Sequence, residues 1–198
     1  LSLVAITLLA LGGAAPARCQ QAGPGAGAEP EDENGGRHCT IEVREGEDMS
    51  GIGVCRWPDI PPEAVVGILR DPSGWHRYFG SIVHGTVTED GRLVQVFTAR
   101  PFARRQVTVE LTTSDVGEAY RVGWRKATVQ EPLAEGFVEI VRFEGWWEVA
   151  PDHNGGCVVT HGAHFDPGGD IPDAVVRHGT PVQIRRLLRQ LRRAVKKG

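Results

Sequence analysis

The side chains from which chemistry might be built start with His161 and His164, in the run CVVTHGAHFDP. They stand three apart on a strand-like segment, so they point to opposite faces and do not chelate one metal. The chain has seven histidines, with no HExxH and no paired CxxC, and this argues against zinc or any other metal centre. No GxSxG is present, and the glycines of Gly23–Gly27 precede no strand–helix unit, so neither a nucleophilic hydrolase nor a phosphate loop is supported. No cofactor motif is found. Acid–base chemistry would need a paired proton donor and acceptor. His161 with Glu139 or Tyr120 is the available combination, but no spacing singles it out. These motif absences leave no catalytic constellation marked by spacing.

The elements that must position these residues belong to one domain. The 198 residues are enough for a full core, and 40% hydrophobic with 24% charged residues is ordinary for a globular chain. A net charge of −3 gives no basis for a nucleic-acid partner. The run Leu1–Leu11 is apolar but too short for a mature membrane span, and Ala15-Pro16-Ala17 fits a small-x-small cleavage pattern. This predicts a signal peptide over 1–17, cut after Ala17, and a periplasmic or extracellular protein; the alternative is an uncleaved anchor. The chain starts at Leu1 without Met or a basic n-region. Pro16-Ala17-Arg18 before Cys19 is unsuited to a lipoprotein signal. Residues 18–37 are rich in Gly, Pro, Ala and acid and predict a disordered linker, which leaves 38–198 as the folded domain. Export permits disulfides. Cys39 and Cys55 flank the turn Gly46-Glu47-Asp48 and would face each other across a hairpin; two buried free thiols remain the alternative, because register is not legible.

Along the domain, CTIEVRE and GIGVCRW alternate as short strands. Asp59-Ile60-Pro61-Pro62-Glu63 is a helix-start signal, with Asp59 a candidate cap before AVVGILRD. WHRYFGSI predicts a second short helix with Trp75, Tyr78 and Phe79 as core. SIVHGTVTE and RLVQVFTA form a hairpin through Asp90-Gly91. RRQVTVELTT places Val107, Val109 and Leu111 on one face, and AYRVGWRKATV does the same for Tyr120, Val122 and Trp124. GFVEIVRFEGWWEVAP reads as one strand with Phe137, Val141, Phe143, Trp147 and Val149 together and a bend or bulge at Gly145. CVVTHGAHFD is the last strand. The closing helix carries Val176, Ile184, Leu187, Leu188, Leu191 and Val195 on one stripe, with a kink or break expected at Gly179-Thr180-Pro181. After Asp173 there is no acidic residue but eight Lys or Arg. Arg185, Arg186, Arg189, Arg192 and Arg193 are candidates to face an anionic membrane; a plain solvated face is the alternative, as is a partner surface on a non-catalytic interaction module.

This order of elements is that of the helix-grip fold, an α+β architecture with a curved antiparallel sheet wrapped round a long C-terminal helix. The words match as well. IPPEAVVGILRD followed by WHRYF resembles the opening of START-like domains, the superfamily of Bet v 1-type proteins, polyketide cyclases and coenzyme Q-binding proteins. FTARPFARRQVTV resembles the segment where a Pro and an Arg precede a strand. GWWEVAPDHNGGCVVTHGAHFDPGGDIPDAVV is similar to the family's Trp strand, Gly turn, strand, Asp-Pro-Gly-Gly and Ile-Pro lead into the last helix. The resemblance spans about residues 39–196 and implies a cavity for a lipid, sterol, quinone or similar apolar molecule. It does not imply catalysis, because the fold hosts carriers and enzymes alike; a polyketide cyclase or aromatase is the enzymatic alternative. The expected walls are Phe97, Val109, Trp124, Phe143, Trp147 and Phe165. Arg100, Arg104 and His161 are candidate polar anchors, and the helix after Ile171 is the candidate lid.

Overall fold

The computed structural model describes residues 39–44 and 50–198. The expected signal peptide, linker and Cys19 lie outside them. Nine strands form one sheet: β1 (Cys39–Arg44), β2 (Ser50–Trp57), β3 (Ile82–Val87), β4 (Leu93–Phe97), β5 (Arg105–Val116), β6 (Ala119–Lys126), β7 (Val138–Glu139), β8 (Arg142–Pro151) and β9 (Cys157–Asp166). Their order is β1-β2-β9-β8-β6-β5-β4-β3, antiparallel throughout, with the two-residue β7 added in parallel to the start of β5. Helices α1 (Pro62–Leu69) and α2 (Asp173–Val195) and a 3-10 turn at Pro72–Arg77 complete the chain. A curved antiparallel sheet against a long C-terminal helix is the helix-grip architecture expected from the sequence.

Local chemistry explains the turns. Asp90-Gly91 joins β3 to β4 with Gly91 at φ 83°, a conformation open to glycine at little cost. At the β8–β9 turn, Asp152 Oδ1 accepts from the Asn154 amide at 2.7 Å and Gly155 takes φ 85°. Of WHRYFGSI only Trp75–Arg77 are helical, in the 3-10 turn Pro72–Arg77, which Asp71 caps by accepting from Gly74 N at 3.1 Å and Ser73 Oγ at 2.6 Å. Trp75 and Phe79 from this stretch do enter the core. Cys39 pairs with Cys55 in register across β1–β2, and the two form a disulfide. Closing a loop of this size restrains the unfolded chain by roughly 3 kcal/mol. Cys157 is a buried thiol, pushed up to about 11 by desolvation.

Three expectations are corrected. The stretch 136–151 is not one strand. β6 pairs with β5 only from Val109 onward, so the chain first adds Val138 and Glu139 beside Arg105 and Gln106, buries Ile140, and begins β8 at Arg142. That step leaves Val141 59% exposed rather than in the core. Gly145 makes no bulge, since the β8 register runs without a shift. The helix α2 is continuous through Pro181. A mid-helix proline removes one hydrogen bond but need not end a helix held elsewhere by packing, and Ile184, Leu188 and Leu191 are all buried just beyond it.

Those three residues make the grip. Alternation along β2 puts Gly51, Gly53, Cys55 and Trp57 on the concave face. A Cβ on Gly53 would lie 2.5 Å from Ile184 Cγ2 and 2.7 Å from Leu188 Cδ1; one on Gly51 would lie 2.4 Å from Ile184 Cδ1 and 3.2 Å from Thr180 Cγ2. The helix therefore sits directly on backbone, and only glycine admits that approach. Its far end is pinned by Asp59, which pairs with Lys196 at 2.6 Å and Arg192 at 3.0 Å and caps nothing in α1. The hydrogen bond from Lys196 leads in holding the Asp59 carboxyl down to about 2. Gly53→Val should cost about 1–3 kcal/mol in urea unfolding by overpacking this contact. Gly67→Ala, in α1 with nothing within 4 Å of a new Cβ, should instead gain about 0.5–1 kcal/mol from helix propensity.

Candidate functional site

The concave face is built of rows that cross the strands. One row reads Gly53, His161, Trp147, Val122 across β2, β9, β8 and β6; the next reads Gly51, Ala163, Gly145, Trp124; a third begins with Phe165 and Phe143. The middle row is almost without side chains, so it forms a trough across the sheet. Trp124 fills one end, with its Cζ2 2.6 Å from where a Gly145 Cβ would stand. Thr180 and Ile184 cover the other end at Gly51. Helix α2 thus runs back along β9: its second half is seated on Gly53, and its first half passes the end of the sheet that carries Phe165 and Phe143.

Aromatic rings line this space continuously. His161 stacks on Trp147 at 4.0 Å and 26°, and lies 5.8 Å from Trp124. Trp147 stacks on Phe79, and Trp75 meets Trp124 edge-on at 5.7 Å. Towards the open end, Phe143 contacts Trp124, Phe97 and Phe165 at 5.7, 5.2 and 5.9 Å. Trp124, Trp147 and His161 are buried, whereas the three phenylalanines are only partly so. Val109 lies in the core on the same face of β5 as Val107. Every expected wall residue therefore faces the concave side, graded from a dry interior to a half-exposed phenylalanine edge.

The expected arginine anchors are placed elsewhere. Arg100 and Arg104 are exposed, and Arg104 lies over the Phe137 ring. The neighbouring Arg105 is 1% exposed instead. It shares the strand face of Val107 and Val109, so carrying the alternation back two residues points to it and not to Arg104. Its guanidinium donates to Ala103 O and, at 3.2 Å, to Gly168 O, and stands 3.9 Å from Asp170. It fastens the turn that launches α2. Gln95, 2% exposed and opposite Val107, is a second buried polar residue that the sequence reading missed.

The catalytic combination is not assembled. Tyr120 stands two strands from His161 and in the next row, under the Arg70 guanidinium, and Glu139 pairs with Lys126 at 2.6 Å. Among the described residues no three His, Cys, Asp or Glu side chains converge on a point. His164 is on the outer face, 3.3 Å from Glu144. There it helps line a concavity with Glu42, Ile52, Arg125 and Trp146, which also reaches Gly51, Ala163, Gly145 and Trp124. Arg185, Arg186, Arg189 and Arg193 are exposed on α2, and Arg192 turns to Asp59.

A family model described as polyketide cyclase / dehydrase and lipid transport matches residues 57–196. The chain belongs to that family. Its fold is shared by the STAR-related lipid transfer protein of Xanthomonas axonopodis, at 23% identity and a TM-score of 0.72, over 84% of this chain and 97% of that one. Human STARD10 follows at 16% identity and 0.71, covering 80% of this chain and 69% of that one, and human StAR-related lipid transfer protein 5 at 13% and 0.70, covering 83% and 88%. None of the curated proteins matches the sequence. Family membership joins two functions, transport and ring-forming chemistry, and the site must decide between them.

His161 gives this family member a titration of its own. Burial holds its imidazole down to about 4, against 6.5 in the unfolded chain. The unfolded chain therefore takes up a proton on acidification before the folded one does, and stability falls as pH drops from about 6.5 to about 4. At about 1.4 kcal/mol per pH unit the loss is on the order of 3 kcal/mol. His161→Phe should flatten that part of the profile in urea unfolding measured from pH 7 to pH 4.

Proposed function

We propose that the protein binds a lipid or similar apolar small molecule between the concave face of the sheet and the first half of α2, and that it acts as a carrier or sensor rather than an enzyme. The observation that carries this reading is the uneven hold on α2. All its buried residues, Ile184, Leu188 and Leu191, are in the second half. The first half buries none and leaves Val175 50% and Val182 55% exposed. An apolar wall behind a weakly held helix is what a cavity with a movable cover requires. Sterols, quinones and acyl lipids all suit aromatic walls of this kind.

The same helix supports contact with an anionic bilayer. Val175, Val182, Arg186, Arg189 and Arg193 recur at intervals of seven, four, three and four and share an outward face. Apolar residues next to the cover with cations behind them suit a headgroup surface. No helix among the described residues is long and apolar enough to cross a membrane. Export is supported by the Leu1–Leu11 run with Ala15-Pro16-Ala17 and by the Cys39–Cys55 disulfide, a bond kept in oxidising compartments.

Native mass spectrometry of the protein purified from a membrane-containing host tests the first claim. A stoichiometric lipid or quinone released on denaturation is expected; a clean apo mass that also takes up no fluorescent lipid would refute it. Phe143→Asp should weaken uptake at least tenfold while far-UV circular dichroism is retained. Arg186→Gln with Arg189→Gln should reduce flotation with phosphatidylglycerol vesicles by about thirtyfold, at about 1 kcal/mol per cation, and leave binding to neutral vesicles unchanged.

A further inference from the structure

Across the sheet, carboxylates are matched by cations of the same chain: Asp59, Asp71, Asp90, Glu110, Glu139 and Glu148 each pair with a Lys or Arg. Glu63, Asp115 and Glu118 pair with none among the described residues, and all three line one groove of about 430 Å³. It lies between α1 and the β5–β6 hairpin, floored by Val66, Tyr120 and Val149. Tyr120 and Val149 stand in register at the end of the sheet away from Phe143 and Phe165. Arg70 also lines the groove, but it is drawn over the Tyr120 ring at 5.4 Å and makes no ion pair with the three. Gly67 completes the wall from the interior of α1, where glycine is disfavoured. Nothing lies within 4 Å of the Cβ it lacks, so packing within the chain gives no reason for it. An approach from outside does, since a missing Cβ lets another backbone lie close. Gly51 and Gly53 seat α2 by the same device.

The complementary charge is on α2. Arg185, Arg186, Arg189 and Arg193 are exposed and pair with no carboxylate among the described residues. Within one copy these cations do not meet the groove, because α2 is held by Ile184 and Leu188 on the sheet and by Asp59 at its end, with the arginines turned outward. Charges left unmatched in one copy match between two. We propose that the groove receives α2 of a second copy, with Arg189 and Arg193 set against Glu63, Asp115 and Glu118 and the incoming helix crossing α1 at Gly67. The two arginines stand four residues apart on one helix face, about 6 Å along the axis, so both enter the same groove. The two surfaces differ, so the contact is heterologous: a copy that gives its helix still offers its groove, and association continues beyond a dimer. The inference needs no ligand in the interior and stands apart from the carrier reading. It sets the arginines a choice between an anionic bilayer and the next copy.

Sedimentation velocity of the full chain, from about 5 to about 500 µM, reads the contact. The sedimentation coefficient is expected to rise with concentration at about 20 mM salt and far less at about 500 mM, where exposed charges are screened. Glu63→Lys with Glu118→Lys, and separately Arg189→Glu with Arg193→Glu, should each weaken association at least tenfold, since like charges then face each other. Mixing these two variants should restore a complex, because the native groove of one meets the native helix of the other. Gly67→Gln should weaken association at least tenfold while remaining as stable as the wild type in urea, since glutamine favours helix and meets nothing in its own chain. A protein that stays monomeric over the whole range overturns the assignment. So does association that survives reversal of the groove, or that fails to return on mixing. If the groove takes an unrelated arginine-rich peptide as tightly as a peptide of residues 182–197, its partner is another cationic chain and the assignment falls.

Discussion

The structure depends on one contact, the seating of Ile184 and Leu188 on the bare backbone of Gly51 and Gly53. A helix normally stands off a sheet by the thickness of two side-chain layers; here one layer is missing on β2. That brings the axis of α2 close to the β1–β2 edge and fixes its direction along β9. Everything on the concave side follows from that direction. The first half of the helix must pass over the row that Gly51 begins, and that row continues through Ala163 and Gly145 to Trp124. The glycines that admit the helix thus set how closely it lies against the sheet.

Two fastenings hold α2, and they differ in kind. Its C-terminal half combines apolar burial with ion pairs from Arg192 and Lys196 to Asp59. Its beginning is held through the turn before it, where Gly168 and Gly169 both take positive φ and Arg105 donates to Gly168 O. Between them, Asp173 to Gln183 buries no side chain. Local opening is cheapest where the fewest apolar contacts must be broken, so the first half of α2 is the segment that moves at least cost. The disulfide reinforces the opposite side, since Cys55 belongs to the same strand as the two glycines. Rigidity is concentrated where the helix is gripped and absent where a ligand would pass.

Much of this was legible because the signals are local. Alternation placed Val107, Val109 and Trp124 on one face, turn chemistry at Asp90-Gly91 and Asn154-Gly155 set the hairpins, and the stripe through Ile184, Leu188 and Leu191 named the buried side of α2. Cys39 and Cys55 stand opposite each other in the β1–β2 register, as a hairpin between them would place them. The illegible parts depend on partners distant in sequence. Val141 reads as core by periodicity, but the short length of β6 leaves an opening beside β5 that draws in Val138 and Glu139 and shifts the phase. Arg192 looks like one more cation on a basic face until Asp59, 133 residues away, is seen to claim it. Arg104 and Arg105 are indistinguishable by type, and only a register of one residue separates an exposed side chain from a buried one. The burial of Gln95 has no sequence mark at all.

The choice between transport and ring-forming chemistry turns on His161. A general base works best with a pKa near the operating pH and with a group that orients it. His161 is held down to about 4 by burial, against the opposing effect of a hydrogen bond with the Trp146 backbone, and its ring is stacked against Trp147 at 4.0 Å. Those conditions make a poor base. The indoles next to it have no proton to exchange at any accessible pH and can only hold an acceptor in place. That balance supports the binding reading proposed above, within a family whose description covers both transport and ring-forming chemistry.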